Sequence, residues 1–312
     1  MSTTVINNRE QESRQQRPLL IFAYLTLLCS LSVYGFWQAL LPAALSNLIW
    51  GQMGVLVVLL VITQFWQVVR PLRGFVLVSM LVTVVTAVLI PLAGNSALLA
   101  GWSSVENPTF WQANSGSLFL KLAAALIIIA LLLAMGLRRA DFFLVKGQID
   151  APATPVRWLG MKNPRPWTKF GGSFAILSFL IILSVTLLPN LPRWGMSSLL
   201  QALPWLPAAL LFAAINGIYE EVVFRAAFLS QLERVVGAGH ALAITVLLFG
   251  LSHLAGSVPS GAVGVLLAAF FAFISGKAML ETRGMTWPWI CHFAADTAVF
   301  IFLAIATTAG AM

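Results

Sequence analysis

The run LFLKLAAALIIIALLLAMGL, residues 118–137, is as long as the roughly 20-residue stretch that an α-helix needs to cross a bilayer. A second run, FGGSFAILSFLIILSVTLL at 170–188, repeats the pattern. Backbone in lipid must satisfy its own hydrogen bonds, so only helices and closed barrels can span a membrane. The period-two alternation of a barrel strand is absent. Nine candidate spans can be read: 19–41, 50–69, 74–92, 117–137, 170–188, 206–235, 240–256, 261–280 and 287–309. The expected fold is therefore all-α, a polytopic transmembrane bundle of about 8–9 spans. Composition agrees: 60% of residues are hydrophobic and 9% charged, against about a quarter charged in soluble domains.

The formal net charge of +8 would raise nucleic acid as a partner in a soluble chain, but here its distribution has a different meaning. With the N-terminus in the cytoplasm and each span crossing once, the inner side holds Arg9, Arg14, Arg17, Arg70, Arg73, Arg138, Arg139, Lys146, Arg157, Lys162, Arg165, Lys169, Arg234, Lys277 and Arg283. Lys121 and Arg193 fall outside, and Arg225 lies within a span. That is the positive-inside bias. No nucleic-acid partner is expected; the lipid bilayer is the expected environment. Residues 1–18 read as a cytoplasmic tail, 19–198 as N-terminal transmembrane helices with a cytoplasmic loop at 138–169 that partly packs on the membrane surface, and 199–312 as the unit carrying chemistry. MSSLLQAL, at 196–203, reads as a short interfacial helix. Cys29 and Cys291 both fall in spans and form no disulfide or metal pattern.

Charged residues inside spans cost about 2.5–3.5 kcal/mol each on insertion scales, so their placement is informative. Most of them gather in three late spans: Glu220, Glu221 and Arg225 in the sixth, His253 in the seventh, His292 and Asp296 in the ninth. Residues four apart share a helix face. Glu221 and Arg225 can thus neutralise each other as a structural pair, leaving Glu220, about 100° further round, available. Asn216 lies one turn before Glu220 and can orient it. His292–Asp296 and Phe249–His253 have the same spacing, which makes Phe249 a wall of the site. Glu220 and His253 are nearly equidistant from the tight turn at VGAGH, so an antiparallel hairpin places them at one depth. His292 and Asp296, early in the last span, are expected closer to the cytoplasm, in a cone open to that side.

In this order EEVVFR, FGLSH and HFAAD resemble the E-E-x-x-x-R, F-x-x-x-H and H-x-x-x-N/D motifs of the intramembrane CAAX proteases and bacteriocin-processing proteins, the CPBP or Abi family, which includes the CAAX prenyl protease 2 type. The resemblance covers about 218–296 and departs from many members in having Asp rather than Asn at 296. It implies a glutamate-dependent endopeptidase in which Glu220 and His253 activate a water while His292 and Asp296 stabilise the oxyanion. A protonated Asp296 donates a hydrogen bond as Asn does; an ionised one instead orients His292 as a cation. The implied partner is a peptide or protein substrate at a bacterial cell membrane, reached from the cytoplasmic side. No cofactor is required by that mechanism; a metal is possible but disfavoured, since no H-E-x-x-H pair is present to hold one. Two other functions fit intramembrane Glu and His: a proton-coupled transporter and a catalytically inactive scaffold.

Overall fold

The computed structural model describes residues 2–31, 48–96, 108–255 and 258–310, with side chains described from residue 16 onward. Its helices are α1 (Ser2–Ser30), α2 (Leu48–Phe65), α3 (Arg73–Val84), α4 (Ile90–Gly94), α5 (Phe110–Ala134), α6 (Trp167–Leu187), α7 (Met196–Ala202), α8 (Leu206–Glu221), α9 (Ala227–Ser252), α10 (Gly261–Thr282) and α11 (Thr286–Thr308). The chain is a multi-pass helical bundle. Among the described residues, six helical segments are long and apolar enough to cross a membrane. Two shorter apolar helices, Gln16–Ser30 and Ile49–Phe65, accompany them. The second half of the first expected span, 32–41, lies outside the described residues. Large side chains such as Leu266, Ile176 and Val58 stay exposed on the bundle's flanks, as lipid-facing positions do.

The start of the fourth span departs from the sequence reading, whereas the turn expected at VGAGH is present. The fourth span starts at Phe110 rather than at 117, because Thr109 and Gln112 form a capping box. The Thr109 side chain accepts from the Gln112 N–H, and the Gln112 side chain accepts from the Thr109 N–H at 3.0 Å. The expected sixth and seventh spans form one long helical segment, Met196–Ser252, that reverses at Gly237. Its φ of 80° and ψ of 156° suit a residue without Cβ. The 138–169 connection is not purely irregular: Pro152–Ala153 pairs antiparallel with Arg165–Pro166.

That connection packs beneath the helices. Phe142, Phe143 and Trp167 are fully buried, while Trp158 remains exposed and packs its ring near Phe270 and Phe273. Gly147 meets the turn between α10 and α11 backbone to backbone; a Cβ on it would lie 2.5 Å from the Thr282 carbonyl. The Met285 N–H donates to the Val145 carbonyl at 2.9 Å. The α5–α6 and α10–α11 connections thus share one end of the bundle.

At the centre stands α11, packed along α6, α8 and α10. Gly171 of α6 lies directly under the Trp287 ring, and Cys291 is buried in the same contact. Small residues of this kind let membrane helices approach closely. On the other side of the bundle α1 and α3 cover α9, through the Tyr24–His240 hydrogen bond and the edge-on Phe75–Phe228 pair.

Candidate active site

The end of α8 and the start of α9 are joined by a π-helical turn, Val222–Ala226. Such turns widen a helix by one residue and recur at functional sites. This one carries Arg225, fully buried, whose Nη1 donates to Glu221 Oε1 at 2.7 Å. Its guanidinium stacks over the Phe249 ring at 4.4 Å and near Phe271 at 5.4 Å. Its Nε and Nη2 have no hydrogen-bond partner among the described residues, so the aromatic faces are what they meet. Glu221 is fully buried too and also accepts from the Ser275 hydroxyl at 3.0 Å.

His292 bridges the two glutamates. Its Nδ1 lies 2.7 Å from Glu221 Oε1 and its Nε2 3.0 Å from Glu220 Oε2. Carboxylates only accept, so both contacts are satisfied when both ring nitrogens carry hydrogen. The expectation that His292 lies nearer the basic end than Glu220 is thereby corrected: the two side chains meet at one depth. The α10–α11 turn is held at Arg283 by Glu233 of α9 at 2.8 Å.

Asn216 organises the other side of Glu220. Its amide donates to Glu220 Oε1 and to Asp296 Oδ2, both at 3.0 Å, and its oxygen accepts from Lys121 Nζ at 2.6 Å. Asp296 Oδ2 lies 3.8 Å from His292 Nε2. Three carboxylates, Glu220, Glu221 and Asp296, thus face three basic groups, Lys121, Arg225 and His292. This balance allows such a cluster inside an apolar bundle.

His253 caps the end of α9. Its Nδ1 lies 3.0 Å from the Phe249 carbonyl, which can only accept, so Nδ1 donates and Nε2 of the neutral ring is left as an acceptor. Among the described residues no hydrogen bond joins His253 to Glu220. Instead both line one cavity of about 300 Å³, together with Asn216, Lys121, His292 and Asp296. Phe249 lines it as well, tilted against His253 with ring centroids 4.7 Å apart. The lining runs from Glu220, His253 and His292 to Asn114 on α5 and Leu303 on α11, and fully buried Arg225 lies behind Phe249 and Phe271.

All eight residues singled out in the sequence lie in or against this cluster. Sequence reasoning missed Lys121 and Ser275. Hydropathy starts the fourth span at 117 and so leaves Lys121 on the outer flank. The T-x-x-Q cap at Thr109 is the signal that sets it three turns inside the helix. Ser275, a lone hydroxyl in an apolar run, carries no comparable signal. Among the described residues, no group of three or more His, Cys, Asp and Glu side chains is placed to hold a metal ion.

Carboxylates and imidazoles thus gather around a cavity inside the helical bundle. Residues 202–298 match the family model described as type II CAAX prenyl endopeptidase, Rce1-like. The match takes in Glu220, His253, His292 and Asp296 and leaves out Lys121 on α5. No curated protein and no solved structure matched the chain.

Proposed function

We propose that the chain is an intramembrane, glutamate-dependent endopeptidase that hydrolyses a peptide bond of a membrane-associated peptide or protein. The observation that carries this reading is the shared cavity: Glu220 and His253 face it without touching each other, which leaves a place for water between a carboxylate and an imidazole acceptor. Glu220 takes one proton from that water while His253 Nε2 accepts a hydrogen bond from the other hydrogen. The hydroxide oxygen bonds to the scissile carbonyl carbon, and the carbonyl π electrons move onto oxygen. Once Glu220 is protonated it no longer needs the His292 Nε2–H, which turns to the new oxyanion. Collapse of the adduct expels the amine, to which Glu220 returns its proton, leaving a carboxylic acid and an amine. Asp296, accepting from Asn216 and close to His292, acts in this scheme as the group that orients a cationic His292. No step calls on a metal or an organic cofactor.

Residues 199–312 are in this reading the catalytic unit, and α5 and α6 complete the cavity wall. Transporters commonly carry their intramembrane polar residues in two pseudo-symmetric halves, whereas most of those here gather in the last third of the chain, which favours hydrolysis over transport. The reading is tested with an apolar fluorogenic peptide and the purified full chain. Cleavage should fall by about 10²–10⁴-fold in Glu220→Gln, the range general-base removal produces, and comparably in His253→Ala. Undiminished cleavage in Glu220→Gln would overturn it.

A further inference from the structure

The direction in which the cavity opens identifies where its substrate comes from. The α5–α6 connection and the α10–α11 turn share one end of the bundle, since Gly147 and Gly284 touch backbone to backbone. That end is basic. It carries seven Lys and Arg residues in 138–169, together with Arg234, Lys277 and Arg283. At the opposite end lie the start of α5, the end of α6, the start of α10 and the end of α11. Arg193 is the one basic residue of the described segments there.

The cavity wall climbs toward that second end on α5, α6, α10 and α11. On α5 it runs from Lys121 to Asn114, about one turn from the helix start. On α6 it reaches Ile182 and on α11 Leu303, each within two turns of the helix end. On α10 it begins at Gly264, in the first turn. The second half of α9 stops at Ser252, one residue before His253, and beyond it, among the described residues, Val258 and Pro259 rather than a helical turn of α9 line the cavity. Toward the basic end, fully buried Arg225 and Glu221 lie below Glu220 and His292, with Phe249 and Phe271 packed around them. Leu177 lines the cavity while 49% exposed on the bundle's flank, so the rim meets lipid as well as water.

Basic residues stay on the cytoplasmic side of a membrane. We infer that the cavity is entered from the non-cytoplasmic side, and that its substrates are apolar peptide segments exposed on the outer face of the membrane. This inference rests on the proposed peptidase reading for the word substrate, but not for the direction of access.

The two are separated by one set of experiments on the full chain in its membrane. A charged, membrane-impermeant maleimide is applied to intact cells and to inside-out vesicles. The native Cys29 and Cys291 provide the background. Ser117→Cys and Asn114→Cys, at the rim, should react at least about ten-fold faster in intact cells. Lys162→Cys, on the basic end, should react only in inside-out vesicles. Rim cysteines that react from the vesicle side, from both sides equally or from neither would overturn the inference. If the rim reacts from outside but an apolar peptide supplied outside is never cleaved, the access stands and the peptidase reading fails. If the peptide is cleaved only when supplied to inside-out vesicles, the inference fails and the peptidase reading stands.

Discussion

Two polar networks built on the same spacing sit at different depths of this bundle. At the basic end of α10, Lys277 pairs with Glu281 four residues on, and Glu281 also accepts from the Thr154 backbone and hydroxyl and from Trp167 Nε1 at 3.0 Å. Every partner comes from the chain itself, and the result fastens the 138–169 connection to a helix. Deeper in the bundle, Glu221–Arg225 and His292–Asp296 have the same four-residue spacing. There the network includes groups that reach into a cavity, Glu220 and Lys121, whose side chains are 15% and 34% exposed. The two clusters are alike in residue types and spacing. What separates them is whether any donor or acceptor capacity is left facing a space that a ligand can enter.

Removing each cation of the deeper network in turn tests that distinction most severely. Arg225→Met should cost the fold about 3–5 kcal/mol, the usual penalty for leaving a buried carboxylate unpaired. Loss of thermal stability and of activity should be seen together. A stable, active Arg225→Met protein would show that Glu221 is held by His292 and Ser275 alone. Next in size is Lys121→Met, which should lower kcat/KM about ten-fold, or about 1.4 kcal/mol in the barrier, with little change in melting temperature. Lys121 is partly exposed and its ion pair with Glu220 is 3.8 Å long, so its part in stability is small. Lys121→Arg should recover part of the rate. A melting-temperature loss as large as that of Arg225→Met would make Lys121 structural and dissolve the contrast.

How far the sequence alone carries this contrast depends on which residues are asked. Intramembrane charge is costly enough that Glu220, Glu221, Arg225, His253, His292 and Asp296 stand out in an apolar text, and helix periodicity pairs them correctly. The role of Asn216 follows from the same one-turn spacing. Lys121 escapes because hydropathy blurs span boundaries by a turn or two, while the boundary itself is fixed by the Thr109 cap. The common depth of His292 and Glu220 escapes for another reason. It depends on how far each hairpin projects beyond the bundle, and that is set by the folded 138–169 connection under α11. Hydrophobic pattern records which face of a helix is apolar, but not how helices are offset along their axes. The direction of the cavity follows from that offset and from the early end of α9.

A smaller effect is expected from Glu281→Gln. It removes the anion beside Lys277 while keeping the shape of the side chain, and should cost about 1.5–3 kcal/mol, the net value of a hydrogen bond to a charged group. Activity per folded molecule should stay within about two-fold, under about 0.5 kcal/mol in the barrier. Limited proteolysis within 138–169 is the direct readout, because the network holds that connection in place. If Glu281→Gln instead lowers the rate with no change in proteolysis, the basic-end network also reaches the chemistry and the two clusters are not separate.

The smallest effect expected lies at the aqueous edge of the basic end. Asp141 accepts from the Arg138 N–H at 2.8 Å, with Arg234 3.8 Å away. That backbone hydrogen bond holds its carboxyl below the usual carboxylate range, with the Arg138 side chain adding to the effect. The folded value is thus lower than the unfolded one, so the stabilisation is present in full above the unfolded value. It fades as the pH falls through the folded value. Asp141→Asn should therefore melt slightly below the parent at neutral pH, and the gap should close as the pH is taken below the ordinary range of an aspartate. A gap that persists unchanged in acid would mean that the Asp141→Asn substitution removes a packing contact rather than a charge. In that case the outer edge of the basic-end network would be held by shape, unlike the ion-paired layer above it.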